Sequence, residues 1–300
     1  MTHKNQPSDI RIILLDIDGT LTNSQKQISA RTKEALLKAQ DHGITLALCS
    51  GRPDQGLYRW AEELGMTSHG GLFVCYNGGK VINCQTKEVL FNQALPIADA
   101  KAVLEHVKQF DVVPTITHGE YMYVTNVFNH DLHLPQTVNI LQYESRGNGY
   151  LLCEVRDLAE FVDFEVNKIL LYGQPEYLKA NCQQISEPFT DRLNAMFTAP
   201  IYYEFTAKNV DKAAALHAAL TPLGFKPEEM IAFGDAQNDI SMLRYAGIGV
   251  AMGNAVDEVK QIADEITASN DEDGIALSLH KYLPELFAEE QKGSAKEEIL

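Results

Sequence analysis

Residues 14–20 read LLDIDGT and follow Ile10, Ile12 and Ile13. The stretch IRIILLDI over 10–17 is a continuous apolar run, the mark of a strand buried on both faces. It ends in two carboxylates, Asp16 and Asp18, one residue apart. An unpaired carboxylate is costly to bury. Taken alone, the pair reads either as a strand running out into a DG turn or as two acids gathered beside a metal. Strand spacing of two lets both face one side where the strand ends.

Working outward, a polar loop, TNSQKQ, comes next. Ser29 offers an N-cap, ARTKEALLKAQDH has helical spacing at Ala35, Leu36 and Ala39, and Gly43 is placed as a C′ residue. ITLALC over 44–49 is a second apolar strand ending at SGRP, which completes a βαβ unit of a parallel sheet. The alternation returns late in the chain. A helix is predicted over 212–224, a strand over 230–233, the loop GDAQND, a helix over 238–246, the strand GIGVAM and a helix over 255–265. The middle differs. LFNQAL, VVPTITHG and YMYVTN read as strands, 97–109 as an amphipathic helix, NKILLYG as a strand, 175–193 as a helix and AMFTAPIYYEFTA as a strand pair. That mixture suggests an α+β insertion, 85–205, in a parallel α/β core made of 1–84 and 206–300. The charged tail from Pro284 is expected to fray.

Composition narrows the function. With 300 residues, 45% of them hydrophobic, the chain can build one large or two ordinary domains. A net charge of −16 argues against nucleic acid and against an anionic membrane surface as partners. It leaves room for a small phosphorylated substrate, since one metal ion and one or two basic side chains reverse the sign locally. The five cysteines, Cys49, Cys75, Cys84, Cys153 and Cys182, are scattered and form no C-x-x-C. They read as reduced thiols of a cytoplasmic protein. No apolar run approaches the ~20 residues of a membrane span.

Ligands of open α/β sheets bind outside the carboxyl ends of the strands. The second strand ends there in Ser50, Gly51 and Arg52, a hydroxyl and backbone N–H groups beside a glycine, which suits a phosphate. A third strand ends in GDAQND, with Asp235, Asn238 and Asp239, and Lys212 opens the helix before it. Carboxylates, a hydroxyl, an amide and an ammonium thus come to one edge. That inventory suits Mg²⁺ and a phosphoryl group.

The four motifs DIDGTL, SGRP, a lysine opening a helix, and GDxxND, in that order, resemble those of the haloacid dehalogenase (HAD) superfamily. NGG at 77–79, GIGVAMGNA at 247–255 and SNDEDGIA at 269–276 resemble its Cof-type sugar-phosphatase-like branch. The resemblance implies a Rossmann-like core with an inserted C2-type cap that picks the substrate. It implies that Asp16 is the nucleophile forming an aspartyl-phosphate and Asp18 the general acid and base. Mg²⁺ would sit on the Asp16 carboxylate, the Asp18 carbonyl and Asp235. Ser50, Gly51, Lys212, Asn238 and the Ile17 backbone N–H would hold phosphoryl oxygens. Asp239 would orient Lys212 or metal-bound water. Superfamily members that cleave carbon–halogen bonds usually lack the second acid, so Asp18 favours phosphoryl chemistry. Two departures, Ala213 where glycine is usual and Asn209 before Val210, remove no catalytic group.

Arg52 reads as a ligand or as a structural ion pair, and Asn77 as a substrate contact or a turn former. GIGVAMG has the spacing G-x-G-x-x-x-G and does not match a dinucleotide fingerprint. HDLH at 130–133 has metal spacing but no evident third ligand. The Tyr121/Tyr123 pair reads as one packed strand face. The expected activity is a Mg²⁺-dependent phosphatase for small phosphorylated metabolites, sugar phosphates or phosphorylated cofactors, acting as a monomer or homodimer. The alternatives are a phosphomutase of the same superfamily and a non-catalytic phosphosugar-binding regulator.

Overall fold

The computed structural model describes residues 10–128, 131–132 and 138–288. The HDLH histidines, His130 and His133, and the tail beyond 288 lie outside the described residues. Two compact units are present. One comprises the described residues of Met1–Gly51, Tyr58–Phe91 and Asp211–Leu300, the other Arg52–Leu57 and Asn92–Val210.

The first unit is built on an eight-stranded sheet in the order Glu265–Ile266, Ile248–Ala251, Met230–Gly234, Ile12–Leu15, Thr45–Cys49, Leu72–Cys75, Lys80–Asn83, Val89–Asn92. The six strands from Glu265–Ile266 to Leu72–Cys75 pair in parallel, and Lys80–Asn83 turns back antiparallel. Ile12, Ile13, Leu14 and Leu15 are each 0% exposed, so the apolar run is covered on both faces. Each such side chain contributes about 1.5–3 kcal/mol by burial. A charge at Leu14 would set an ion in the middle of the sheet. Leu15 lies opposite Phe233 on one neighbour and Leu48 on the other. Asp16, Ser50 and Asp235 therefore leave the sheet along one edge.

The first helix, Ala30–Asp41, starts where Ser29 accepts a bond from the Thr32 N–H at 3.1 Å and ends in Gly43 at φ +83°. Ala35, Leu36 and Ala39 are its buried face, as their spacing requires. Other helices are shorter than their periodicity suggests. The 175–193 helix is α-helical over Pro175–Ser186 and continues as a 3₁₀ turn, Glu187–Phe189, where Pro188 lacks an N–H. The one at 238–246 becomes helical over Ile240–Tyr245, because Asp239 turns its carboxylate back onto its own loop. The one at 255–265 spans Asp257–Ile262, leaving room for the two-residue edge strand Glu265–Ile266, too short to show a period.

The second unit carries a six-stranded sheet in the order Leu151–Glu154, Tyr121–Val124, Val113–His118, Lys168–Tyr172, Tyr202–Ala207, Leu193–Ala199. Its strands alternate. Ile116, Ile169, Leu171, Tyr203 and Phe205 join a core with Val103, Leu104, Leu178 and Ile185 from two helices. Thr115, Lys168, Glu204 and Thr206 take the other face by the period of two. Tyr123 packs on Phe161 at 4.7 Å between ring centroids, while Tyr121 is 43% exposed.

Candidate active site

Lys212 is the first residue of a helix capped by Asp211, whose side chain accepts from the Ala214 N–H at 2.9 Å. Its ammonium is fully buried and donates three hydrogen bonds. They reach Asp16 Oδ1 at 2.9 Å, Asp239 Oδ1 at 2.6 Å and the Cys49 carbonyl at 2.7 Å. Three strand ends thus converge on one Nζ. Burial works against the charge on Lys212, but Asp16 and Asp239 outweigh it and hold the lysine above its ordinary value. The neighbouring Cys49 thiol is pushed up to about 12, chiefly by burial, so it stays a thiol.

Asp239 is 0% exposed and uses both oxygens within the protein. Oδ1 takes the lysine, and Oδ2 accepts the backbone N–H groups of Asp235 and Ala236, each at 3.0 Å. Asp235 accepts from the Thr20 hydroxyl at 2.8 Å. The approach of the two loops requires glycines. A Cβ on Gly19, at φ +89°, would stand 2.5 Å from Asp235 Oδ2. One on Gly234 would stand 2.5 Å from the Asp239 Cβ.

Asp16, Asp235 and Asp239 bring carboxylate oxygens within 4.8 Å of one another. Burial first, then Asp239, pushes the Asp16 carboxyl well above its usual range, and burial also raises Asp235. Three clustered acids thus face the one charge of Lys212. Hard oxygen donors in negative excess suit a small divalent cation. With Asp239 engaged on both oxygens, Asp16 and Asp235 are the better placed to offer lone pairs.

Asp18 stands apart from this cluster. Its side chain is 38% exposed and pairs with Lys26 Nζ at 3.0 Å. Ile17 is buried, and its carbonyl accepts from the Thr22 N–H and hydroxyl, both at 3.0 Å, which pins the turn. Ser50 is 4% exposed, and its N–H donates to the Val74 carbonyl at 2.8 Å. Asn77 donates its N–H to the Ser50 carbonyl at 3.0 Å and accepts from Asn238 Nδ2 at 3.0 Å. Arg52 belongs to the second unit, where its guanidinium lies 3.5 Å from Asn148 Oδ1. The sequence reading singled out neither Thr20, Lys26 nor the Cys49 carbonyl. It also missed the brace on the first loop, in which Asn254 donates to the Gly19 carbonyl and Asn270 to the Thr22 carbonyl, each at 2.8 Å. Both asparagines lie in the GNA and SND stretches, whose polarity between core elements was the available signal.

Comparison with known proteins matches residues 13–279 to the haloacid dehalogenase-like hydrolases. A Bacillus subtilis (strain 168) relative, 5-amino-6-(5-phospho-D-ribitylamino)uracil phosphatase YitU, is 30% identical over 274 residues, covering 90% of this chain and 97% of its own. The crystal structure of a haloacid dehalogenase-like hydrolase from Bacteroides thetaiotaomicron superposes with a TM-score of 0.83 at 35% identity, over 91% of this chain and 99% of that one. The HAD subclass IIB sugar phosphatase BT4131 superposes with a TM-score of 0.71 at 26% identity, over 91% and 98% of the two chains. The match runs through every strand end described above, and the chain belongs to the haloacid dehalogenase-like hydrolases, as one of their phosphatases.

Proposed function

We propose that this phosphatase is a Mg²⁺-dependent phosphomonoesterase for small phosphorylated metabolites, working through an aspartyl-phosphate on Asp16. The observation that carries the reading is Asp16 itself, 6% exposed at the end of a central strand and held at Oδ1 by a buried lysine. An Asp16 carboxylate oxygen would attack phosphorus as the bond to the leaving alcohol breaks. Asp18 would give that alcohol its proton, then take one from the water that cleaves the acyl phosphate and regenerates Asp16. Its partial exposure puts it within reach of solvent protons. Ser50, Gly51, Asn238, Lys212 and the Ile17 N–H would hold the phosphoryl oxygens. Asp16, Asp235 and the Asp18 carbonyl would hold the cation, with Asp239 behind them. When bound, it would supply charge that offsets the repulsion between a carboxylate and a phosphate.

The second unit would serve as the cap that selects the leaving group. It contains a shallow recess lined by Pro53, Thr115, Met122, Glu144, Asn148, Lys168, Leu170 and Tyr172, among others. Hydroxyl, carboxylate, amide and ammonium beside an aromatic ring suit a hydroxylated group such as a sugar. The names of two relatives, a phospho-D-ribitylamino uracil phosphatase and a sugar phosphatase, point the same way. Arg52, beside Asn148, would serve that end of the substrate. No described helix is long and apolar enough to cross a membrane, and the five free thiols suit a reducing compartment such as the cytoplasm.

The test is phosphate release from sugar phosphates, pyridoxal phosphate, flavin mononucleotide and p-nitrophenyl phosphate, with Mg²⁺ and with EDTA. Metal-dependent turnover, with sugar phosphates highest in kcat/KM, is expected. An isomeric sugar phosphate in place of free phosphate would point to a mutase, and binding without turnover to a regulator.

A further inference from the structure

After the strand Leu72–Cys75 the backbone takes three consecutive positive φ values, Tyr76 at 53°, Asn77 at 56° and Gly78 at 101°. Glycine does this without strain. Asparagine tolerates it at modest cost, but tyrosine does not, and such a residue persists only where the surroundings over-determine it. Here the turn is held from three sides, all within the first unit. The Asn77 N–H bonds the Ser50 carbonyl at 3.0 Å. The Asn77 amide lies over Gly51, where a Cβ would meet its nitrogen and its oxygen at 3.1 Å each. Its oxygen accepts from Asn238 Nδ2 at 3.0 Å. At Gly78 a Cβ would stand 2.3 Å from the Asp211 carbonyl, next to Lys212. One strained turn therefore touches the Ser50–Gly51 bend, the GDAQND loop and the start of the Lys212 helix.

We infer that Asn77 is a positioning residue that locks the Asn238 amide and the Ser50–Gly51 bend into one preformed phosphoryl seat. The inference rests on the phosphatase reading above and gives Asn77, expected as a substrate contact or a turn former, the role of a residue acting through its neighbours. The Asn77 oxygen accepts the Asn238 amide, and the Asn77 amide group fills the space that glycine leaves at 51. Fixing one amide hydrogen of Asn238 turns the rest of that group in a set direction. Donors fixed before binding cost no reorganisation when the anion arrives.

A double-mutant cycle tests this. Asn77→Gly keeps the left-handed turn and deletes the amide, and Asn238→Ala deletes its partner. Each single variant should lower kcat/KM for p-nitrophenyl phosphate by roughly 5–20-fold. The double variant should fall within about twofold of Asn238→Ala alone, since the two act as one unit. KM and the inhibition constant of inorganic phosphate should rise together in Asn77→Gly, at an unchanged melting temperature. Losses that multiply in the double variant, or an Asn77→Gly enzyme equal to wild type, would overturn the inference while leaving the phosphatase reading intact. Should wild type prove inactive, that reading fails on its own. The same cycle run on inorganic phosphate binding by calorimetry then decides whether Asn77 and Asn238 are coupled.

Discussion

Lys212 and Lys168 are both largely buried and both paired, one in each unit, yet their surroundings differ. Lys168 meets Glu204 at 3.2 Å across neighbouring antiparallel strands, and its side chain keeps 16% exposure. Lys212 keeps none and gathers two carboxylates and a carbonyl from three separate strand ends. A sheet can place a diagonal ion pair on its face through register alone. Drawing Asp16, Cys49 and Asp239 onto one nitrogen requires loops shaped for that purpose, with glycines at 19 and 234 clearing the way. Both units bury charge, and in the first it is concentrated, with two carboxylates on one ammonium.

The comparison can be broken or sharpened by substitution. The largest effect belongs to Asp16→Asn, which should remove about 10⁴-fold or more of turnover while the protein folds, since a nucleophile has no stand-in. Residual activity near wild type would remove Asp16 from the chemistry. Lys212→Met should cost about 10²–10³-fold in kcat. It should also cost about 3–5 kcal/mol of stability in urea, because buried carboxylates lose their partner. A melting curve like that of wild type would show that the cluster relaxes without it.

Gly19→Ala sets a Cβ against Asp235 in a left-handed backbone. A misplacement of that size costs on the order of 10²-fold in rate, so a fully active variant would mean that the loop moves aside cheaply. In the second unit, Lys168→Met should cost about 1–3 kcal/mol, the penalty of stranding Glu204. It should also weaken sugar phosphates more than p-nitrophenyl phosphate. An equal effect on both substrates would detach Lys168 from leaving-group selection.

The smallest effect concerns an exposed pair. Asp157 caps a short helix and meets Lys108 Nζ at 2.6 Å, and that hydrogen bond first of all holds its carboxyl below the usual range. A lowered folded value means that the unfolded chain binds the proton more readily. The contribution is present above the ordinary carboxylate value of about 3.9 and is lost as pH falls through the folded value. Asp157→Asn should flatten the acid limb of the stability curve by roughly a few tenths of a kcal/mol. A steeper acid limb would reverse the sign assigned here.

Legibility followed the same divide. The first strand, its helix and the second strand are readable because four consecutive residues are buried on both faces and Ser29 and Gly43 mark the helix ends. The parallel α/β class of the core follows from that unit and its recurrence. The strand ends place Asp16, Ser50 and Asp235 on one edge by connectivity alone. The contacts between loops are not legible in this way. Nothing in the spacing of Thr20, Asn254 or Asn270 announces what they hold, because those bonds cross more than two hundred residues. Lys26 is a further case, a lysine in a polar loop that folds back onto Asp18. Short elements such as Glu265–Ile266 and the 3₁₀ turn before Ile240 escape because a period needs more than two or three residues to show.

The central claim is that Asp16 carries the phosphoryl group, and its most direct test is to catch it there. Enzyme mixed with Mg²⁺ and its best sugar phosphate, quenched in acid within one turnover and digested, should yield a phosphorylated peptide containing Asp16. The same peptide from Asp16→Asn should be unmodified. Full turnover with no phosphorylated peptide at any quench time, and undiminished phosphate release by Asp16→Asn, would contradict the account.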